Sequence, residues 1–394
     1  MHRREFLSLA CGAATQVGRL SANTSIDDVL RSGIARRKVP AVVAMASTGN
    51  ETLYSGAVGV RDGGGTPVTT ESIFQIASMT KAITTVAALQ LVEQGKVTLE
   101  EPVAKHLSKL EKLDVLEGFD SAGKPILRPA GTPITLKHLL THTSGLCYDT
   151  WDEKMFRYAP EAGPGTVGPL MFEPGARWQY GQGCDWAGRL VETISGMTLE
   201  DYFQAKVFRP LGIDDTSYIL PAAKFDRLVT RWTRDNGGPL MPAERSMPKP
   251  PTSFNGGGGL YSTAADYTRF MQMILRKGQG ILQPKTVERM MVNQIGSATA
   301  GKMRSFKPDT SADVDIQPGA TEKWSLGFLI NTTAYQGGRA AGSLAWAGLY
   351  NTFYWIDPKR RRCGVLMMAF LPFVDKEALG LLGDFERSVY SVFG

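Results

Sequence analysis

The sequence has 394 residues, 43% of them apolar, which is enough to bury a large core and predicts two closely packed domains. The net charge of +6 is small and spread along the chain. Its one dense basic run, residues 359–362, lies between two strand-like segments, as a solvated turn does, so we expect no nucleic-acid partner. No apolar run reaches the roughly 18 residues that span a bilayer, so no membrane span is predicted.

Residues 1–19 resemble a twin-arginine export signal, because Arg3 and Arg4 precede a stretch of small and apolar residues. The apolar region is short, however, and no small-x-small cleavage motif follows it. We therefore treat these residues as a signal or a flexible terminus. The compartment is left open, with the cytoplasm favoured over export.

The first predicted elements are a helix at residues 26–37 and a hairpin of two strands, residues 41–47 and 52–58. A second helix starts near Ser78 and ends at Gly95, because an apolar, helix-period run follows Ser78. A helix so close to a hairpin indicates an antiparallel sheet with helices packed on it.

Ser78 and Lys81 are three residues apart, so they share one face of this helix and their side chains can meet. A serine hydroxyl becomes a nucleophile when a neighbouring base takes its proton. Burial and the positive helix N-terminus both lower the pKa of a lysine, so we expect Lys81 to be able to act as that base. The pair is only two fixed residues, and a capping serine with a solvated lysine is the alternative interpretation.

Residues 96–249 contain short predicted helices joined by loops rich in proline and glycine, at residues 97–110, 136–140, 185–194 and 199–208. Little strand pattern occurs there, which predicts an inserted, mostly helical domain. The glycine run 256–259 ends it, and a helix at 264–277 follows with Thr263 as its cap. No Gly-Lys-Ser/Thr follows the glycines, which excludes a phosphate-binding loop.

Strands return at residues 324–330, 343–347, 352–356 and 363–370, and a helix at 376–392 closes the chain. The predicted fold class is thus α+β, with an antiparallel sheet flanked by helices. One domain combines residues 20–95 and 250–394, and residues 96–249 form the inserted helical domain.

Several motifs occur in a characteristic order after the Ser78-x-x-Lys81 pair. They are Thr-His-Thr-Ser-Gly at 141–145 with Tyr148, the segment 172–182 around Tyr180, Pro-Leu-Gly-Ile at 210–213, and the glycine-rich stretch 256–263. This order resembles the serine β-lactamase and penicillin-binding-protein superfamily, above all class C β-lactamases and family VIII carboxylesterases. Residues 115–120 and 180–188 are similar to the branch with statin side-chain acyltransferases. The resemblance implies a β-lactamase/transpeptidase-like fold.

The resemblance also implies residue roles. Ser78 would be the acylated nucleophile and Lys81 its partner, while Tyr180 would share proton transfer with Lys81; which of the two is the base stays open. The third motif of the family falls on Trp346-Ala347-Gly348. The implied oxyanion hole combines the backbone N–H groups of Ser78 and Leu349. The implied substrate-binding residues are Tyr148, Gln182, Trp346, Ala347 and Gly348.

Two departures from the family pattern bear on the substrate. Trp346 replaces the lysine or histidine that would bind a β-lactam carboxylate, and Gln182 replaces a shorter asparagine. We therefore predict a serine esterase that cleaves short-chain esters through an acyl-enzyme, with a small ester or acyl-thioester as its partner. Acyl transfer to an alcohol is the first alternative, and β-lactam or D-Ala-D-Ala hydrolysis is a further one.

Other functional classes have less support. None of the four histidines lies in a typical hydrolase triad: His142 is expected to be structural, and Ser144 beside it ranks below Ser78 as a nucleophile. No His/Asp/Glu spacing indicates a metal site, and the four cysteines are expected to be free thiols, so no cofactor is predicted. A catalytically silent binding protein disagrees with the presence of serine, lysine and tyrosine together. The oligomeric state cannot be inferred.

Overall fold

The computed structural model describes residues 25–158, 167–234, 237–317 and 319–394. The segment that resembles an export signal lies outside these residues, as does Cys11. The other three cysteines, Cys147, Cys184 and Cys363, are free and buried, as predicted. Within the described residues, no helix combines the length and the apolar character needed to cross a membrane.

A seven-stranded antiparallel sheet forms the centre of the molecule, in the order β2-β1-β13-β12-β11-β10-β9. The first and last parts of the chain therefore share one sheet, as the sequence predicted. The strands in chain order are β1 (Ala41–Thr48), β2 (Thr52–Gly59), β3 (Phe74–Gln75), β4 (Asp114–Phe119), β5 (Pro125–Pro129), β6 (Trp232–Arg234), β7 (Leu240–Pro242), β8 (Tyr261–Ser262), β9 (Lys323–Trp324), β10 (Leu329–Ile330), β11 (Leu344–Gly348), β12 (Thr352–Asp357), β13 (Arg362–Met367) and β14 (Phe370–Leu371).

Helices cover the sheet, and most of them lie in the chain between β2 and β9. They are α1 (residues 25–37), α2 (Thr80–Glu93), α3 (Leu136–Leu140), α4 (Glu153–Tyr158), α5 (Gly183–Ser195), α6 (Leu199–Phe203), α7 (Arg209–Leu211), α8 (Ala264–Leu275), α9 (Pro284–Met290) and α10 (Lys376–Phe393). A π-helical stretch, Gln204–Phe208, joins α6 to α7. Short 3-10 helices occur at Ala77–Met79, Val103–Lys105, Ser108–Leu110 and Ala222–Arg227.

Both faces of the central sheet are covered by helices. Neighbouring residues of β12 point to opposite faces: Tyr354 contacts Tyr267 of α8, and Trp355 contacts Phe385 of α10. Burial on both faces explains why β12 is buried along its whole length. Helix α2 is buried in the same way, since 11 of its 14 residues are inaccessible, which explains why its sequence is apolar nearly all round.

Three local predictions were wrong. Residues 97–110 form two 3-10 turns instead of a helix, because Pro102 has no N–H and restricts the backbone. Strands β4 and β5 form a hairpin inside the region predicted as helical. The predicted strand 324–330 is two short strands, since Gly327 adopts a φ of +87° in the turn between them.

Candidate active site

Ser78 lies in a single 3-10 turn, Ala77–Met79, that leads directly into α2. The residue before the serine, Ala77, has a φ of +42°, a region that side chains with a Cβ seldom adopt. Strain of this kind persists only where the surroundings hold it, and it is common at functional sites. One such support is Tyr267 of α8, whose hydroxyl donates a 3.0 Å hydrogen bond to the carbonyl oxygen of Met79.

Lys81 lies one helical turn after Ser78, and its side chain is 1% exposed. Its Nζ donates to Ser78 Oγ at 3.2 Å, to the hydroxyl of Tyr148 at 3.2 Å and to the carbonyl oxygen of Gly257 at 2.7 Å. The contact between serine and lysine that the spacing predicted is therefore present. All the donor positions of a lysine ammonium are used by these three partners.

The charge of Lys81 differs from the sequence-based expectation. Burial by itself lowers the pKa of Lys81, but Tyr180 and Asp185 nearby act in the opposite direction, and the net pKa is raised above its ordinary value. The prediction that the pKa of Lys81 is lowered was thus wrong, because it included burial and the helix N-terminus but no neighbouring carboxylate. Lys81 is held as an ammonium.

Tyr180 lies just before α5 and brings its ring against Lys81, with 4.9 Å between Nζ and the ring centroid. The indole Nε1 of Trp346, on β11, donates to the hydroxyl oxygen of Tyr180 at 3.2 Å. An N–H donor aimed at a phenol oxygen stabilises negative charge on that oxygen. The tyrosine and the tryptophan that replaces the family's cation therefore form one unit.

Tyr148 and Asp185 extend the cluster in a way that the sequence did not predict. Tyr148 was expected only to line the pocket, but its hydroxyl accepts from Lys81 and donates to Asp185 Oδ2 at 2.9 Å. Asp185 Oδ1 accepts the backbone N–H of Gly257 at 2.7 Å. The one available signal was an acid in the first turn of an amphipathic helix, five residues after Tyr180.

The glycine run 256–259 allows backbone to pass very close to this cluster. A Cβ on Gly256 would collide with the carbonyl oxygen of Cys184, and one on Gly257 would collide with the carboxylate of Asp185. Two side chains of α2 also contact the run, because Thr84 donates to the carbonyl oxygen of Gly256 and Lys81 to that of Gly257. The glycines are therefore required for close packing between α2 and α5.

Ser78 opens into a cavity of about 470 Å³. None of the described residues that line it carries a formal charge, and several are aromatic. The lining residues are Gln75, Ala77, Ser78, Tyr148, Thr150, Trp151, Tyr180, Asn255, Gly257, Gly258, Gly259, Leu260, Tyr261, Trp346, Ala347, Leu349, Tyr350 and Phe373.

Six of the nine predicted site residues line this cavity. Lys81 does not line it, although it contacts Ser78, and two further residues lie elsewhere. Gln182 occupies the N-cap position of α5 and does not line the cavity. Gly348 is also absent from the lining, because its Cα packs against the carbonyl oxygen of Ile76, just before the serine turn. Leu349, the predicted second oxyanion residue, follows Gly348 and lines the cavity together with Ser78.

His142 is buried beside the cluster, where its ring packs on the rings of Tyr180 and Trp324 at centroid distances of 4.7 and 4.9 Å. Its Nδ1 accepts the backbone N–H of Gly181 at 3.4 Å. Burial, reinforced by the charge of Lys81, lowers the pKa of His142 well below its ordinary value. These contacts agree with the structural role expected from the sequence.

Within the described residues, no three His, Cys, Asp or Glu side chains are grouped to hold a metal ion.

The sequence matches the Beta-lactamase family over residues 26–382, a span that includes every residue of the site. This chain belongs to the beta-lactamase family. The fold class and the family that the motifs predicted are thereby confirmed, and the chain is an enzyme of the serine hydrolase or acyl-transfer type.

Proteins similar to this chain include an esterase, an acyltransferase and a synthase. Lovastatin esterase of Penicillium rubens is 31% identical over 391 residues, covering 93% of this chain and 98% of that protein. Monacolin J acid methylbutanoyltransferase of Aspergillus terreus is 29% identical, covering 93% and 95%. The solved structure of unliganded simvastatin synthase from Aspergillus terreus superposes with a TM-score of 0.83 at 28% identity, covering 94% of this chain and 98% of that one.

Proposed function

We propose that this chain transfers acyl groups through a covalent acyl-enzyme on Ser78, with an alcohol as the preferred acceptor. The observation that carries the proposal is the contact of Ser78 Oγ with the buried ammonium of Lys81 at 3.2 Å, at the wall of an uncharged, aromatic cavity. Serine nucleophiles act when a neighbouring group takes their proton and a fixed charge stabilises the transition state. The contacts of Ser78 with Lys81, and of Lys81 with Tyr180, support this chemistry.

The proposed reaction has two symmetrical halves. Ser78 Oγ attacks the acyl carbonyl carbon, its proton passes to the Lys81–Tyr180 unit, and the leaving alcohol takes that proton when its bond to the acyl group breaks. The acceptor alcohol then attacks the acyl-enzyme, its proton follows the same route in reverse, and Ser78 regains its hydrogen. The backbone N–H groups of Ser78 and Leu349 are the proposed donors to the oxyanion in both halves.

Transfer and hydrolysis differ only in the acceptor of the second half-reaction. The sequence analysis placed hydrolysis first, but the relatives include acyltransferases as well as an esterase and support transfer at least as well. The apolar lining adds to this support, because it favours a carbon-rich alcohol over water in the cavity. Hydrolysis of the same acyl-enzyme is retained as the second activity because of the esterase relative.

A partition experiment tests this proposal. With p-nitrophenyl butyrate as the donor, we expect added hydrophobic alcohol to yield butyrate ester at the expense of butyric acid, while release of p-nitrophenol stays constant or rises. Chromatography of the products measures the ratio. Acid as the sole product at every alcohol concentration would contradict transfer and leave the esterase function. No cleavage of any ester or thioester, measured as release of p-nitrophenol or of free thiol, would contradict both.

The lack of charged residues in the described cavity lining bears on the choice of substrate. A β-lactam carries a carboxylate beside its reacting carbonyl, and burying it without a cation is costly. The described lining has no lysine or arginine, so we expect kcat/KM for p-nitrophenyl butyrate to exceed that for nitrocefin by about 10²-fold or more.

Trp346→Lys should reduce that ratio by raising the rate with nitrocefin. The substitution also removes the hydrogen bond to Tyr180, so Trp346→Phe, which loses the bond without adding a charge, is the matched control. A wild-type preference for nitrocefin, or equal ratios in the lysine and phenylalanine variants, would show that the missing cation does not determine the substrate.

A further inference from the structure

Lys81 and Asp185 have opposite charges and are connected through the same two residues. Lys81 donates to the hydroxyl oxygen of Tyr148 and to the carbonyl oxygen of Gly257. Asp185 accepts from that same hydroxyl and from the backbone N–H of Gly257. The four groups thus form a closed ring of hydrogen bonds directly behind Ser78. Asn255 also fixes Gly257, since its Oδ1 accepts the same N–H at 2.9 Å.

The ring distinguishes the two tyrosines that contact Lys81. The proton of Tyr148 is directed at a carboxylate, and desolvation together with Asp185 raises the pKa of Tyr148 well above its ordinary value. The oxygen of Tyr180 instead receives an N–H from Trp346. Tyr148 is therefore held as a neutral phenol, whereas the surroundings of Tyr180 stabilise a negative oxygen.

We propose that Asp185 is a positioning residue for the acyl transfer, acting through Tyr148 and Gly257 to hold Lys81 as an ammonium beside Ser78 and to leave Tyr180 as the group that accepts the proton. This inference rests on the proposed function of Ser78. During acylation the Ser78 proton moves to the oxygen of Tyr180, which acts as its phenolate, while the bond from Oγ to the acyl carbon forms. The proton then moves on to the leaving alcohol as the bond between the acyl carbon and the oxygen of that alcohol breaks. Lys81 and Tyr148 keep the same number of protons throughout.

The negative charge of Asp185 changes the pKa of Lys81 in one direction. Asp185 is one of the groups that raise the pKa of Lys81, so the ammonium persists to higher pH than it would without the carboxylate. Burial raises the pKa of Asp185 above its ordinary value, and the Lys81 charge and the two donors offset only part of that rise. Removing this negative charge should make Lys81 lose its proton at lower pH.

Asp185→Asn tests the inference, because it removes the charge and preserves the size of the side chain. We expect kcat for p-nitrophenyl butyrate to fall about 10-fold or more with little change in KM, and the alkaline limb of kcat/KM to move down by about 1 pH unit or more. The matched control is Asp357→Asn, a buried aspartate at the far end of β12, whose loss should lower stability and leave the alkaline limb in place.

An alkaline limb of Asp185→Asn that coincides with wild type, in folded and active protein, would overturn the inference and leave the proposed function standing. If Asp185→Asn does not fold, Tyr148→Phe is the second test, since it breaks one of the two links between Lys81 and the carboxylate but removes no proton acceptor. We expect Tyr148→Phe to retain at least about 10-fold more activity than Tyr180→Phe. The reverse order would overturn the assignment of the two tyrosines. Wild-type protein without acylation on Ser78 would instead contradict the proposed function.

Discussion

Ser78→Ala lowers kcat for p-nitrophenyl butyrate by about 10⁴-fold or more and removes all labelling by a fluorophosphonate probe. The reason is that the covalent route requires a nucleophilic oxygen beside the Lys81 ammonium, and alanine has none. Kinetics on both proteins measure the first effect. Mass spectrometry of the probe-treated, digested wild-type protein should place the adduct on the peptide that contains Ser78.

Ser144→Ala is the matched control, because Ser144 is another buried serine, 2% exposed, and it lies beside the buried His142. Its Oγ accepts the backbone N–H of Leu146 at 3.3 Å, which indicates a role in the local turn. Labelling and activity should persist in this variant. An adduct on Ser144, or activity that survives in Ser78→Ala, would mean that another nucleophile performs the reaction.

Lys81→Met and Tyr180→Phe should each lower kcat by at least about 10²-fold. Tyr180 is the positioned proton-transfer group, and Lys81 is the charge beside it that makes the transfer favourable. Methionine fills the buried channel of Lys81 but removes the charge that contacts Ser78, and phenylalanine keeps the ring of Tyr180 on Lys81 but removes its oxygen. Single-turnover kinetics with the ester separate acylation from the later steps, and both variants should be slowed in acylation.

His142→Asn separates this centre from a histidine-based triad. Asparagine tolerates the positive φ of +56° at this position and offers an oxygen to the N–H of Gly181, so the backbone should keep its shape. We expect kcat to stay within a few-fold of wild type, with some loss of thermal stability from the cavity left by the ring. If kcat of the folded variant falls as far as that of Lys81→Met, His142 takes part in the chemistry.

The parts of the fold that the sequence predicted correctly have strong local patterns. Strands β1 and β2, helix α3 and helix α10 differ from the predicted bounds by at most one or two residues, because alternation, capping residues and apolar periodicity determine them locally. The hairpin of β4 and β5 was missed because it lies on the surface and exposes the apolar residues Ile126 and Leu127. In β4 the two buried residues, Val115 and Leu116, are direct neighbours, so burial does not impose a period of two.

The candidate site was predictable where a motif contains it and unpredictable where distant segments meet. The spacing of Ser78 and Lys81 is local to one helical turn, so their contact followed from the sequence. The charge of Lys81 did not, since it depends on Tyr180 and Asp185, which lie about a hundred residues later in the chain. The link through Tyr148 and Gly257 requires the tertiary structure, which no local pattern specifies.

The order of strands in the central sheet has a consequence for the biosynthesis of this protein. Strand β1 is translated early, yet one of its two neighbours is β13, so the sheet stays incomplete until residues 362–367 have left the ribosome. Pairings between such distant segments also slow folding, because the chain must close a long loop first. Ser78 is made long before Trp346 and Leu349 arrive to form its cavity. In a nascent chain the nucleophile is therefore present before its cavity is assembled.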